Sequence, residues 1–189
     1  MPAKSCQNVQ ELSHSDPKTE VLTLLSKMTI EEKIGQMSQL SGDGCTISTN
    51  LRQAIKDGHV GSILNEVDFD TINELQRIAI QESRLGIPLL IGRDVIHGFN
   101  TIFPIPLAQA ATWSPKIVEH CAKIAAIESS NCGINWTFAP MIDIARDPRW
   151  GRIAESLGED PFLCKTLAKS MVKGFQGDCL SNAGVTAGS

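Results

Sequence analysis

Along the chain the period of apolar and polar positions changes several times, and each change marks an element. Asp16-Pro17 offers a helix cap followed by a first-turn proline, after which Val21, Leu22, Leu25 and Met28 fall on one helical face. Thr29-Ile30-Glu31-Glu32 has the form of a capping box and predicts a second helix. Ser41 to Gly44 reads as a loop, and Leu51 to Asp57 as a short helix that ends at Gly58. From there two signals alternate. Val60 to Leu64 is a short strand-like run, Asp70 to Arg84 keeps a helical period and closes on Gly86, and Ile87 to Ile91 suits a buried strand. A helix starts at Ser114-Pro115, with Ile117, Val118, Cys121, Ile124 and Ala125 in phase until Gly133, and Ile134 to Ala139 reads as the next strand. Another starts at Asp160-Pro161, with Leu167, Ala168, Met171, Val172 and Phe175 on one face before Gly177.

Strands alternating with helices of this length imply an α/β fold with a parallel sheet and right-handed crossovers, either doubly wound or a (β/α) barrel. Two features favour the barrel. The loops after the strands at Ile91 and Phe138 are long and rich in Asp, Arg and His, and a barrel places its chemistry in such loops. No Gly-x-Gly-x-x-Gly or Gly-x-x-x-x-Gly-Lys turn follows any strand, which removes the main support for a nucleotide-binding sheet. A complete barrel takes about 250 residues. The pattern supplies three clear strand-helix cycles, so the expected architecture is the N-terminal portion of a (β/α)8 TIM-like barrel, incomplete. Residues 1–28 are then an N-terminal helical extension and residues 29–189 the barrel portion. Ser181 to Ser189 stops where a further strand should begin, which points to a truncated chain.

Composition narrows the partners. With 42% hydrophobic and 20% charged residues the chain is that of an ordinary globular domain. Its 17 basic and 21 acidic residues are interspersed, so nothing resembles a footprint for a phosphate backbone, and nucleic acid is not an expected partner. No apolar run approaches membrane-spanning length, and the first residues lack the hydrophobic stretch of a secretory signal. The sequence as written therefore reads as cytoplasmic, or as periplasmic or secreted where a signal has been removed. Cys6, Cys45, Cys121, Cys132, Cys164 and Cys179 form no Cys-x-x-Cys pair and have no His at zinc-ligand spacing, so reduced structural thiols and no metal are expected.

Two loops concentrate candidate chemistry. Gly92-Arg93-Asp94-Val95-Ile96-His97-Gly98 puts a carboxylate directly after an apolar strand, where it can reach the barrel mouth and accept two hydroxyl hydrogen bonds. The alternative for Asp94 is a helix cap or a loop ion pair. For His97 a structural role is preferred over substrate contact, with the ring holding the loop. The second loop, Ala139 to Arg152, brings together Asp143, Arg146, Asp147, Arg149, Trp150 and Arg152. Arginine offers a rigid fork of donors to vicinal hydroxyls, and tryptophan an apolar face for the C–H side of a sugar. Arg146 and Arg149 are expected to pair with neighbouring acids, whereas Arg152, beyond the Trp150-Gly151 turn, is expected to meet a ligand. Glu128 lies on the apolar face of its helix and needs a partner, for which Arg146 or another loop arginine is the expectation.

Taken together, Gly92 to Gly98, Phe103-Pro104, Phe138-Ala139-Pro140 and Asp147-Pro148-Arg149-Trp150-Gly151-Arg152 resemble glycoside hydrolase family 3, over roughly Thr29 to Asp178. The resemblance implies part of a retaining exo-β-glycosidase of β-glucosidase type, hydrolysing terminal β-D-glucosyl residues of a β-linked glucoside or oligosaccharide without a cofactor. It implies Asp94 and Arg152 as the groups holding the sugar in the −1 subsite, with His97, Arg146, Trp150 and Glu155 in support. The family's Lys-His pair, Asp nucleophile and Glu acid/base are not in this sequence, so no catalytic residue is assigned and the chain alone is expected to be inactive. The branch that hydrolyses N-acetylhexosaminides carries a different, Glu-Gly-Gly-containing loop at the Asp94 position. The alternative is a non-catalytic half barrel that binds sugars or self-associates through open sheet edges.

Overall fold

The computed structural model describes residues 16–42 and 44–177, and the backbone of residues 186–187. Cys6, Cys179, the rest of Ser181 to Ser189 and the first fifteen residues of the expected extension lie outside the described residues. Five strands form one parallel sheet: β1 (Gln39–Ser41), β2 (Ser62–Leu64), β3 (Leu90–Arg93), β4 (Trp136–Thr137) and β5 (Thr186–Ala187). Around them run α1 (Pro17–Lys27), α2 (Ile30–Gln36), α3 (Thr49–Lys56), α4 (Phe69–Gln81), α5 (Pro106–Ala110), α6 (Pro115–Asn131) and α7 (Pro161–Gln176). Spatial order equals chain order, each strand being added beside the last with a helix in between. A doubly wound sheet reverses its order at a switch point and this sheet does not, so the arrangement is that of a (β/α) barrel's first strands.

The core lies between the sheet and the helices. Ile63 and Ile91 are paired in register and fully buried, under Leu75 and Ile78 of α4, Val118 of α6 and Leu167 and Phe175 of α7. Each side chain of this kind contributes on the order of 1.5–3 kcal/mol through burial. The closest helix contact is α6 on α7. A Cβ at Gly174 would stand 2.4 Å from the Glu119 carbonyl and 2.7 Å from Ala122 Cβ, so only glycine permits this approach. On the other face of the sheet the exposure differs, since Leu90, which lies in register with Ser62, is 48% exposed.

Several elements depart from the expectation. β1 was not foreseen, because Gln39, Leu40 and Ser41 are all exposed and show no alternation. With β1 and β5 included, four crossovers link the five strands, and not three cycles. The run from Ile134 to Ala139 contributes only two ladder residues, and α5 fills part of what reads as loop. The apolar face of α1 is real, yet Val21, Leu22 and Leu25 are exposed and α1 buries no residue.

The N-terminal helices are tied down by polar groups. The Thr29 hydroxyl accepts from Glu32 N at 3.2 Å, and Glu32 Oε2 accepts from Thr29 N at 2.8 Å, completing the capping box. Glu32, only 8% exposed, also pairs with Arg84, which donates in turn to the Lys27 carbonyl. Among the described residues no helix is long and apolar enough to cross a membrane. Cys45, Cys121, Cys132 and Cys164 are free thiols; Cys45 is exposed, and burial pushes Cys121 and Cys164 above the ordinary thiol value.

Candidate functional site

The loop after β3 is fixed at both ends and along its length. Arg93 donates to Asn65 Oδ1 at 3.3 Å, and Val95, fully buried, donates its N–H to the Thr137 hydroxyl at 3.2 Å. Asp94 stands between these two anchored residues with its side chain exposed. A carboxylate is thus presented to solvent between two hydrogen-bonded neighbours. Farther along, His97 Nδ1 lies 2.9 Å from the Phe103 carbonyl while Phe103 N donates to the His97 carbonyl at 2.8 Å, closing residues 97–103 into a tight hairpin. His97 is thus hydrogen-bonded across the loop through both its ring and its backbone.

Glu128 completes that loop, with a partner other than the one expected. Its carboxylate accepts the N–H groups of Asn100 and Thr101, both at 2.8 Å, and the Thr101 hydroxyl at 2.6 Å. The Thr101 hydroxyl, followed by the backbone donors, holds this carboxyl below its ordinary value. Backbone donors meet the need for which an arginine was predicted, because the hairpin turns its N–H groups toward α6.

The loop after β4 is built differently. Ala145 is buried and its N–H bonds the Gly158 carbonyl at 3.0 Å, and Ser156 and Leu157 are buried at the far end. Between them residues 146–155 run largely exposed and are organised by charge. Arg149 pairs with Asp147, as expected, whereas Arg146 makes no ion pair among the described residues. Arg152 is gripped by Glu155, its Nε donating to Oε1 at 3.1 Å and its Nη2 to Oε2 at 2.7 Å. That bidentate contact, with the charges of Glu155, Asp143 and Asp94 behind it, raises the guanidinium pKa, and the hydrogen bond and charge of Arg152 lower that of Glu155.

Arg152 borders an open hollow of about 270 Å³. Trp136 and Phe138 line it with their rings 4.5 Å apart, residues 140–142 form a wall, and Asp143 stands at its border with Arg152. Gly92 lies close under the aromatic surface: a Cβ there would stand 3.1 Å from Phe138 Cζ and 3.4 Å from Trp136 Cε3, so the Phe138 ring would have to give by a few tenths of an ångström. Asp94 is not part of this lining, but its charge acts on Arg152. Sequence reasoning put Arg152 and Asp94 in one sugar subsite, whereas of the two only Arg152 lines this hollow. It overlooked Asp143, Trp136 and Phe138 as components of the hollow, although the strand-to-loop position of all three was readable. Trp150 takes no part in the lining; its N–H bonds the Asp147 carbonyl at 3.1 Å inside the loop.

Known proteins resemble this chain in sequence and in fold. The chain is 43% identical over 157 residues to the periplasmic beta-glucosidase of Salmonella typhimurium, covering 83% of this chain and 20% of that protein. It is 36% identical over 199 residues to the lysosomal beta glucosidase of Dictyostelium discoideum, covering 90% of this chain and 24% of the relative. It thus spans between a fifth and a quarter of the length of these relatives. Among solved structures, the beta-glucosidase of Listeria innocua in complex with laminaribiose superposes with a TM-score of 0.75 at 42% identity, over 85% of this chain and 24% of that one. Residues 29–187 match the family described as "Glycosyl hydrolase family 3 N terminal domain", and the chain belongs to that family.

Proposed function

We propose that this chain is part of a retaining exo-β-glycosidase of β-glucosidase type that hydrolyses terminal β-D-glucosyl residues, and that Asp94 and Arg152 bind the hydroxyls of the sugar in the −1 subsite. The observation that carries the reading is Arg152 at the border of an aromatic-lined hollow, within electrostatic reach of the carboxylate delivered by the neighbouring strand tip. Glu155 occupies the Nε side of the guanidinium, so Nη1 and the second Nη2 proton remain to donate to sugar oxygens. Asp94 supplies the complementary acceptor. His97 supports by fixing the loop that carries Asp94, whereas Arg146 and Trp150 have no direct part in this reading.

The contribution of these residues is positional. Hydroxyl contacts that tighten as the ring distorts toward the transition state lower the barrier without forming a bond to the sugar. A retaining mechanism also needs two carboxyl groups about 5–5.5 Å apart, and we assign neither to a residue of this chain, which binds sugar and makes no covalent step. By the same reading residues 29–189 are the barrel portion, and residues 1–28 are a helical extension. Likeness to relatives called beta-glucosidases, one of them solved with laminaribiose, supports a β-linked glucoside as substrate.

Titration of the chain with glucose, followed by amide and arginine Nε NMR signals, tests the proposal. Binding should perturb Arg152 and the Asp94 loop, and Asp94→Ala should weaken it at least roughly ten-fold, the loss of charge-assisted hydrogen bonds being worth about 1.5–3 kcal/mol. Equal affinity in the variant removes Asp94 from the subsite. A second reading, self-association through the open sheet, draws on the exposure of Leu40 on β1 and Leu90 on β3.

A further inference from the structure

Asp143 lies at the border of the hollow beside Arg152, with its side chain exposed, and its carboxylate accepts no hydrogen bond from any described residue. Two neighbours nevertheless feel its charge. It contributes to the raised pKa of Arg152, behind Glu155, and to that of Cys164, behind burial. Cys164 lies beneath the loop and donates to the Ile142 carbonyl at 3.7 Å, which anchors the backbone next to Asp143. The carboxylate is therefore carried on a held backbone, near a guanidinium whose own bidentate partner is Glu155. Asp143 is not needed to hold Arg152. It lines the hollow with no described hydrogen-bond donor at its oxygens.

A guanidinium and an unengaged carboxylate side by side over an aromatic surface are the donor-acceptor set for a diol. N–H groups reach the lone pairs of one hydroxyl, the carboxylate receives the protons of one or two, and the ring C–H face meets the aromatic wall. We infer that Asp143 is a second hydroxyl-accepting contact for the sugar held at Arg152, a specificity-determining residue distinct from Asp94. The inference rests on the sugar-binding reading above and adds a residue to it. The charges of Asp94 and Asp143 both act on this guanidinium, from the loops after β3 and β4. A sugar seated there presents different hydroxyls to each, so the two carboxylates read different positions of one ring.

The test measures the affinity of the parent chain, Asp143→Asn and Asp94→Ala for glucose and for its 2-, 3-, 4- and 6-deoxy analogues. Asp143→Asn keeps size and leaves the fold alone, because the side chain is exposed and accepts no hydrogen bond from a described residue. The expected result has three parts. The parent penalises the loss of at least one hydroxyl roughly ten-fold, Asp143→Asn binds glucose correspondingly more weakly and no longer penalises that hydroxyl, and Asp94→Ala loses a different one. The Arg152 Nε signal should stay in place in Asp143→Asn. Should Asp143→Asn retain the parent's affinity and deoxy profile while Asp94→Ala weakens binding, the inference is overturned and the sugar-binding reading stands. Weaker binding with a displaced Arg152 signal also overturns it, by making Asp143 a partner of the arginine. If the parent chain binds no glucose at all, the sugar-binding reading fails, and the inference goes with it.

Discussion

The two loops that follow β3 and β4 carry the same kinds of residue and are held by different forces. Residues 94–105 bond to neighbouring elements or to one another at nearly every turn: Val95 to Thr137, His97 to Phe103, Asn100 and Thr101 to Glu128, and Pro104 to the buried Gln109. Residues 146–155 are anchored at their ends, and in the middle they hold one another by exposed ion pairs. The first loop gives a carboxylate a fixed address. The second keeps its guanidinium aimed through Glu155 while leaving the other donors open. The contrast suggests a division of labour in which a rigid acceptor meets a donor whose remaining contacts a ligand can complete.

The largest effect should come from beneath the first loop. Phe175 of α7 is buried and packs with His97, Phe103 and Gln109 around a space of only about 10 Å³. Phe175→Ala should cost about 3–5 kcal/mol, measured by urea denaturation, because the emptied volume cannot collapse under a loop so firmly bonded. Native-state hydrogen exchange should show protection lost first at residues 97–103, and little change at residues 146–155. A cost below about 1 kcal/mol would mean that the two loops do not differ in how they meet the core.

A smaller, pH-dependent effect follows from Glu128. Its folded-state pKa is lowered from 4.5, chiefly by the Thr101 hydroxyl. A depressed carboxyl stabilises the fold at pH values above its unfolded pKa, and that stabilisation is lost as pH falls through the folded value. Exchange protection at Asn100 and Thr101 should therefore be constant from neutral pH down to about 4.5 and decline below it, and Glu128→Gln should flatten the profile. Protection that survives acidification unchanged would show the hairpin to be held without Glu128.

How much of this was legible in the sequence depended on which force placed each residue. Helices α4, α6 and α7 follow from apolar period and from Pro115, Asp160 and Pro161 at their starts, because burial and capping are local properties of sequence. β1 was not legible, since Gln39, Leu40 and Ser41 are too short a run to mark a strand, all three are exposed, and the strand is defined by pairing with β2. The face of Val21, Leu22 and Leu25 shows the opposite failure: a periodic apolar stripe predicts a helix but does not say what covers it. At the site, Asp94 and Arg152 stood out through motif and position. Glu128 was read as needing a partner, but backbone N–H groups are invisible to a search for opposite charges. Asp143 was passed over because, in sequence, it reads as one more acid among arginines. Only the hollow separates it from Asp147.

Asp147 supplies the smallest expected effect and the sharpest form of the contrast. It pairs with Arg149 in a geometry that uses both carboxylate oxygens, yet the two side chains are 46% and 89% exposed. Ordering two exposed side chains opposes most of what their attraction supplies, and salt screens the remainder. Asp147→Ala should therefore leave the Tm of the chain within about 1 °C of the parent, with no dependence on added salt. It should also leave glucose affinity unchanged within about two-fold, because Arg152 takes its orientation from Glu155 and not from this pair. A drop in Tm of several degrees would mean that the exposed ion pairs brace the second loop as firmly as Glu128 braces the first. The difference between the loops would then be one of chemistry alone, and the opening left at Arg152 would need another explanation.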